Sequence, residues 1–142
     1  MKLFLPILVF ISIALSSCYK NQLNPVPDIP FDVTIDINFP LYSELNGVGG
    51  WTYIDGYGSR GLIVYRKSID EFVAFDRHSP ADTNGSCFNP LYPSPDNFLV
   101  LVDSCNNATF SLYDGSPISN LSIGLRQYQT LYDGFNLLRI RN

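Results

Sequence analysis

The stretch Val102–Gly115, VDSCNNATFSLYDG, decides how this chain is expected to fold. Apolar residues before its Asn-rich centre and alternating residues after it predict two β-strands joined by a polar loop, with Cys105 at the turn. The Asp-Gly pair at its end is typical of a tight hairpin turn. An upstream stretch, Ala74–Pro80 (AFDRHSP), also runs from a strand pattern into a polar loop. Each stretch therefore predicts a strand end followed by a polar loop.

Segments around these two stretches also predict strands. Short segments of β-favouring residues, bounded by turn residues, are Val33–Phe39, Leu62–Arg66, Phe72–Phe75, Ala108–Tyr113, Gln127–Leu131 and Phe135–Ile140. Phe98–Val102 (FLVLV) is apolar throughout and predicts a strand buried on both faces. The glycine-rich segment Tyr42–Ser59 predicts turns and bends. With no sustained helical period, the pattern favours an all-β fold, a small antiparallel sandwich or barrel.

Composition narrows the class of protein. The chain has 142 residues, of which 46% are hydrophobic and 15% charged, which is enough for one domain with a buried core. Its formal charge of −4 provides no positive field for phosphate groups. Nucleic acid is therefore not expected as a partner.

The N-terminus has the pattern of a targeting segment. Lys2 precedes the apolar run Leu3–Leu15, which is short for a membrane span, and the run ends in Leu-Ser-Ser-Cys18. This ending resembles a bacterial lipobox; an ordinary secretory signal with a chance cysteine is the alternative. The expected organisation is a signal peptide over 1–17, a proline-bearing tether over 18–30 from a lipidated Cys18, and one β domain over 31–142. We expect a lipid anchor in the outer (or inner) membrane of a bacterial cell envelope.

The order of the predicted elements resembles a Rieske domain over Leu62–Ile140. The residues that carry the resemblance are Ala74, Phe75, Asp76, Pro80, Phe110, Leu112, Gly115 and the terminal hairpin with Asp133-Gly134. The chain looks most like the small Rieske-like lipoproteins of Bacteroidota. In Rieske domains, two loops each supply one cysteine and one histidine to a 2Fe–2S cluster. The resemblance therefore implies a cluster site formed by the polar loops of Ala74–Pro80 and Val102–Gly115.

The ligand positions of that implied site carry other residues. The first-loop cysteine and histidine fall on Ser79 and Ala81, and those of the second loop fall on Asp103 and Asn106. The whole chain has one histidine and three cysteines, too few for a Rieske ligand set once Cys18 is lipidated. We therefore expect no cofactor, with a 2Fe–2S cluster as the alternative.

The resemblance also implies a disulfide. In the Rieske proteins of respiratory complexes, the position of Cys105 carries a cysteine bonded to one in the first loop. Here the first loop holds Cys87, at a spacing that departs from the family. The implied bond between Cys87 and Cys105 would close the loop Arg77–Asn97.

The histidine and its neighbours allow further interpretations. His78 could join Cys87, Cys105 and Asp103 in a zinc site, but the spacing matches no zinc motif and a disulfide would consume both thiolates. A solvent-exposed loop histidine is favoured instead, and no metal site is predicted. As candidate binding residues in the two loops we take Arg77, His78, Asp82 and Asn107.

Three functions remain open at this point. The leading one is a non-enzymatic envelope lipoprotein that uses a cluster-less Rieske-like domain as a structural or binding module for an unknown envelope protein or ligand. The first alternative is electron transfer through a 2Fe–2S cluster. The second alternative is a thiol–disulfide redox role for Cys87 and Cys105.

Overall fold

The computed structural model describes residues 23–142; the predicted signal peptide, the lipidation site Cys18 and the first part of the tether lie outside these residues. The described chain is all-β and antiparallel, as predicted, with one short 3₁₀ helix at Pro40–Asn46. Its nine strands are β1 (Asp32–Asp36), β2 (Trp51–Ile54), β3 (Leu62–Arg66), β4 (Phe72–Asp76), β5 (Tyr92–Pro93), β6 (Val100–Val102), β7 (Thr109–Ser111), β8 (Gln127–Tyr132) and β9 (Leu137–Arg141). Within residues 23–142, no helix has the length and apolar character needed to cross a bilayer.

The strands form two sheets. The larger has the order β1-β9-β8-β4-β3-β2 and curls into a half-barrel, and the smaller has the order β5-β6-β7. The predicted hairpins β3–β4 and β8–β9 are both present. At the β8–β9 turn, Gly134 has φ +84° and the Asp133 carboxylate accepts backbone N–H bonds from the next turn residues. The Asp-Gly pattern therefore identified this turn correctly.

Strands β3 and β4 lie at the centre of the core and are buried at every position. Because side chains alternate across a strand, one set faces the cluster built with β1 and β9, and the other faces the cluster built with the small sheet. Leu62 and Ala74 belong to the first cluster, whereas Ile63 and Phe75 belong to the second. These two strands therefore hold both halves of the domain together.

The strand predicted from FLVLV differs from the expectation. Strand β6 covers only Val100–Val102, and only its middle residue, Leu101, is fully buried. Phe98 lies before the strand and is 42% exposed. The small sheet packs on the core through one face, so the prediction of burial on both faces is wrong here and applies to β3 and β4 instead.

The glycine-rich segment contains a strand that its composition concealed. Strand β2 pairs with β3, from Trp51 opposite Tyr65 to Ile54 opposite Leu62, and forms one edge of the large sheet. Trp51 is half-buried and packs beside Tyr53 with ring centroids 5.2 Å apart. The glycines on either side do lie in turns, but a short paired strand lies between these turns.

The described part of the predicted tether lies against the domain. Val26 is 1% exposed, and its carbonyl accepts hydrogen bonds from the Arg126 guanidinium. The Asn24 amide donates to the Gly124 carbonyl at 3.1 Å. This segment is therefore not a free spacer, because the buried Val26 and the hydrogen bonds from Arg126 fix it to the loop before β8.

Candidate functional site

A buried carboxylate organises the end of β4, where the first loop begins. Asp76 is 0% exposed. Its oxygens accept hydrogen bonds from the backbone N–H groups of Ser59 (2.6 Å), Arg60 (3.2 Å) and His78 (2.8 Å) and from the Tyr128 hydroxyl (2.7 Å). Burial, together with the bond to Asp76, raises the pKa of Tyr128 above its usual range. Asp76 therefore ties the first loop to the β2–β3 loop and to β8.

His78 is not the solvent-exposed histidine that the sequence suggested. It is 6% exposed, because the β2–β3 loop covers it. The Ser59 hydroxyl lies 2.7 Å from Nδ1, and Nε2 lies 3.5 Å from the Asp82 carboxylate. Its polar contacts thus connect the β2–β3 loop with the first loop, and a surface binding role for His78 is not supported.

Two further candidate binding residues also have structural contacts. Asp82 is 5% exposed and accepts backbone N–H bonds from Ser86 (2.9 Å) and Cys87 (3.1 Å). The guanidinium of Arg77 lies 3.7 Å from the ring centroid of Tyr53, and its Nε donates to the Leu91 carbonyl. Both side chains therefore hold the ends of the first loop on the domain and are engaged in structural contacts.

The second loop is organised by Asp103, which is 3% exposed. Its carboxylate accepts hydrogen bonds from the backbone N–H of Cys105 (2.9 Å) and from the backbone and side chain of Asn106 (3.1 and 2.9 Å). Burial alone raises the pKa of Asp103, but the neighbouring Ser79 hydroxyl and the hydrogen bonds from Asn106 and Cys105 outweigh burial and leave that pKa below its usual range. The carboxylate therefore organises the second loop, and it lies within 4.8 Å of the Cys87 sulfur in the first.

The predicted disulfide joins the same loops. Cys87 and Cys105 are bonded, with 5.9 Å between their Cα atoms. Next to the bond, the Asn89 amide donates to the Ser104 hydroxyl at 3.2 Å. We call residues 83–89 and 104–107 the tip, because apart from the buried Cys87 every residue in them is exposed.

The four implied cluster-ligand positions do not fit an iron–sulfur cluster. Ala81 has no donor atom and packs partly buried against the core. The Ser79 hydroxyl accepts a hydrogen bond from the Ala81 N–H, and the Asn106 amide donates to Asp103. Both tip cysteines are consumed in the disulfide. The donor set of a Rieske centre, two thiolates and two imidazoles, is missing from these positions.

Of the four candidate binding residues, Asn107 alone is exposed. It has φ +53°, in the left-handed region that asparagine tolerates better than most residues. Phe88 was not among the candidates, yet it is 82% exposed at the tip, with the Arg60 guanidinium 5.6 Å from its ring centroid. The sequence did contain a signal for Phe88, namely a large apolar residue next to Cys87 in a polar loop.

A second concave surface lies away from the tip, at the edge strand β2. This open cleft of about 390 Å³ is lined by Glu44, Gly49, Gly50, Trp51, Thr52, Tyr53 and Phe98. One face of the Tyr53 ring is already covered by Arg77. The cleft is therefore built mainly from main chain and half-buried rings, with one carboxylate.

Asp103→Asn is expected to destabilise the second loop in a pH-dependent manner. At pH 7 the variant should lose about 1–2 kcal/mol of unfolding free energy, because charged hydrogen bonds are lost. Since the pKa of Asp103 is lowered by folding, its contribution is present above the unfolded value of about 4 and disappears as the pH falls through the folded value. Urea unfolding at pH 7 and pH 3 should show the gap between parent and variant closing in acid.

The exposed Asp70, in the β3–β4 turn, provides the matched control as Asp70→Asn. This variant should change stability by less than about 0.5 kcal/mol. A gap for Asp103→Asn that is the same at both pH values would contradict the account of the carboxylate.

Comparison of the chain with models of protein families, with curated proteins and with solved structures finds no match. The resemblance to Rieske domains therefore rests on the sequence motifs quoted above and remains a prediction.

Proposed function

We propose that this protein is a lipid-anchored bacterial envelope lipoprotein whose Rieske-like domain has no cluster and acts as a binding or structural module. One observation carries the proposal: the two loops that hold a cluster in Rieske domains are joined here by the Cys87–Cys105 bond and by the hydrogen bond from Asn89 to Ser104. This arrangement leaves no converging metal ligands from the implied positions. It produces a cross-linked polar tip.

The composition of the tip favours a binding role over simple support. Phe88 is exposed among small polar residues, so packing against the core does not explain an apolar side chain there. Exposed aromatic residues surrounded by polar groups are frequent anchors of protein interfaces. The proposed partner is another envelope protein that covers Phe88 and hydrogen-bonds the neighbouring amides of Asn89 and Asn107.

The alternatives have less support. Electron transfer through a 2Fe–2S cluster would need ligands that the implied positions lack. A thiol–disulfide role gains some support from the exposure of Cys105, since an external thiolate could reach its sulfur. However, Cys87 is 5% exposed, and the structure supplies no basic helix end to lower a thiol pKa among the described residues.

Site-specific photo-crosslinking in cells tests the binding role. A photoreactive phenylalanine analogue replaces Phe88 at the tip or, as the matched control, Phe135 in the β8–β9 turn. Both side chains are 82% exposed, so solvent access does not distinguish them. We expect a discrete protein adduct from position 88 and none from position 135. Adducts of equal yield at both positions, or none at position 88, would contradict a binding role for the tip.

A further inference from the structure

The tip disulfide has a carboxylate beside it. The sulfur atoms of Cys87 and Cys105 and a carboxylate oxygen of Asp103 all lie within 4.8 Å of one another. These are three of the four residues that the sequence grouped as a possible zinc site; the fourth, His78, is not part of this cluster. Thiolates and a carboxylate are ligands that Zn²⁺ accepts in proteins.

The main chain around both cysteines is fixed without the disulfide. The N–H of Cys87 donates to the buried Asp82 carboxylate at 3.1 Å, and the N–H of Cys105 donates to Asp103 at 2.9 Å. Because these hydrogen bonds do not involve sulfur, breaking the S–S bond leaves both thiols facing the same space. Asp103 is itself held by hydrogen bonds from the backbone and side chain of Asn106, which also do not involve sulfur.

The burial of the three groups suits a metal site with one open side. Cys87 is 5% exposed and Asp103 is 3% exposed, whereas Cys105 faces solvent. Two sulfur ligands at bond lengths of about 2.3 Å in a tetrahedral site lie about 3.7 Å apart, a separation that two free sulfurs reach by small side-chain rotations. The solvent side leaves room for a water molecule as the fourth ligand.

We propose that reduction of the Cys87–Cys105 disulfide turns the tip into a binding site for Zn²⁺ or a similar divalent ion, with both cysteines and Asp103 as ligands. A dithiol reductant supplies two electrons and two protons: its own sulfurs become a disulfide, and the tip bond becomes two thiols. The metal ion then displaces two protons and binds two thiolates. This redox-dependent metal site goes beyond the proposed binding role and does not depend on it.

Cobalt titration of the reduced protein tests the proposal. The full-length chain with Cys18→Ser, in detergent, is reduced with a phosphine, freed of it without oxygen and titrated with Co²⁺. We expect thiolate-to-cobalt charge-transfer absorption that saturates at one ion per chain, disappears on addition of Zn²⁺ and is absent from the oxidised protein. Reduced protein without this absorption would overturn the proposal.

Variants assign the ligands. Asp103→Asn should weaken Co²⁺ binding at least about tenfold, since even losing an outer-shell partner of a metal costs that much. Asp96→Asn, at an exposed carboxylate between β5 and β6, should leave binding unchanged. Because Asp103→Asn also disturbs its turn, Cys87→Ser provides a second test that keeps Asp103, and it should abolish the two-thiolate spectrum. Unchanged affinity in either ligand variant would refute the assignment.

Discussion

Asp76→Ala should destabilise the domain by about 3–5 kcal/mol, the largest effect expected from any single substitution considered in this chain. The reason is that Asp76 is fully buried and accepts four hydrogen bonds, three from backbone N–H groups and one from Tyr128. Alanine would leave these donors buried without a partner. Urea unfolding monitored by the fluorescence of the single tryptophan, Trp51, measures the loss.

Asp55→Ala provides the control for this prediction. The side chain of Asp55 is 86% exposed, and its one ion pair, with Arg77, is 3.6 Å long. Exposed pairs of this kind contribute at most about 1 kcal/mol. If Asp76→Ala cost no more than Asp55→Ala, then Asp76 would not be the organiser of the first loop.

The double variant Cys87→Ala/Cys105→Ala should lose about 3 kcal/mol, the second largest effect. The disulfide spans a sequence separation of 18 and closes a loop that contains only two short strands, β5 with two residues and β6 with three. Without the bond the unfolded chain has more conformational entropy. On the chain-entropy model, this gain lowers the free energy of unfolding. The measurement is urea unfolding in a Cys18→Ser background, with and without reductant.

Reductant provides an internal control. It should lower the stability of the parent to that of the double variant and leave the double variant unchanged. The loss is smaller than the total stability typical of a domain, so the reduced chain is expected to remain folded through the hydrogen bonds of Asp82 and Asp103. A parent that is equally stable with and without reductant would contradict a stabilising disulfide.

The sequence predicted the elements that local patterns determine. The β8–β9 hairpin follows from Asp133-Gly134, because few turns other than a tight hairpin use this pair between β-favouring segments. The β3–β4 hairpin follows from two short apolar segments around a polar turn. The alternation of apolar residues around the second loop gave β7 at Thr109–Ser111.

The contacts between loops could not be predicted from local patterns. His78 lies in a polar stretch, and its burial results from the β2–β3 loop, whose Ser59 is far away in sequence. The strand β2 was hidden because the glycines around Trp51–Ile54 are strong turn signals. The sequence contained one clue to the role of Asp76. This residue ends a strand whose four other residues are all apolar, which indicates that its carboxylate lies in the core.

The residue types at the ligand positions do not predict the contacts that these side chains make instead. The residue types at Ser79, Ala81, Asp103 and Asn106 excluded the Rieske donor set without any coordinates. The Asn89–Ser104 hydrogen bond and the approach of Asp103 to the Cys87 sulfur depend on the relative position of two loops, which residue types alone do not specify.

The visible absorption spectrum of the full-length protein as isolated, with an iron and sulfide assay, tests the central claim most directly. The claim is that the two loops are joined by the Cys87–Cys105 bond and hold no cluster. We therefore predict a colourless protein with no stoichiometric iron or sulfide. Absorption bands of an oxidised 2Fe–2S centre, with iron and sulfide at about two each per chain, would contradict it.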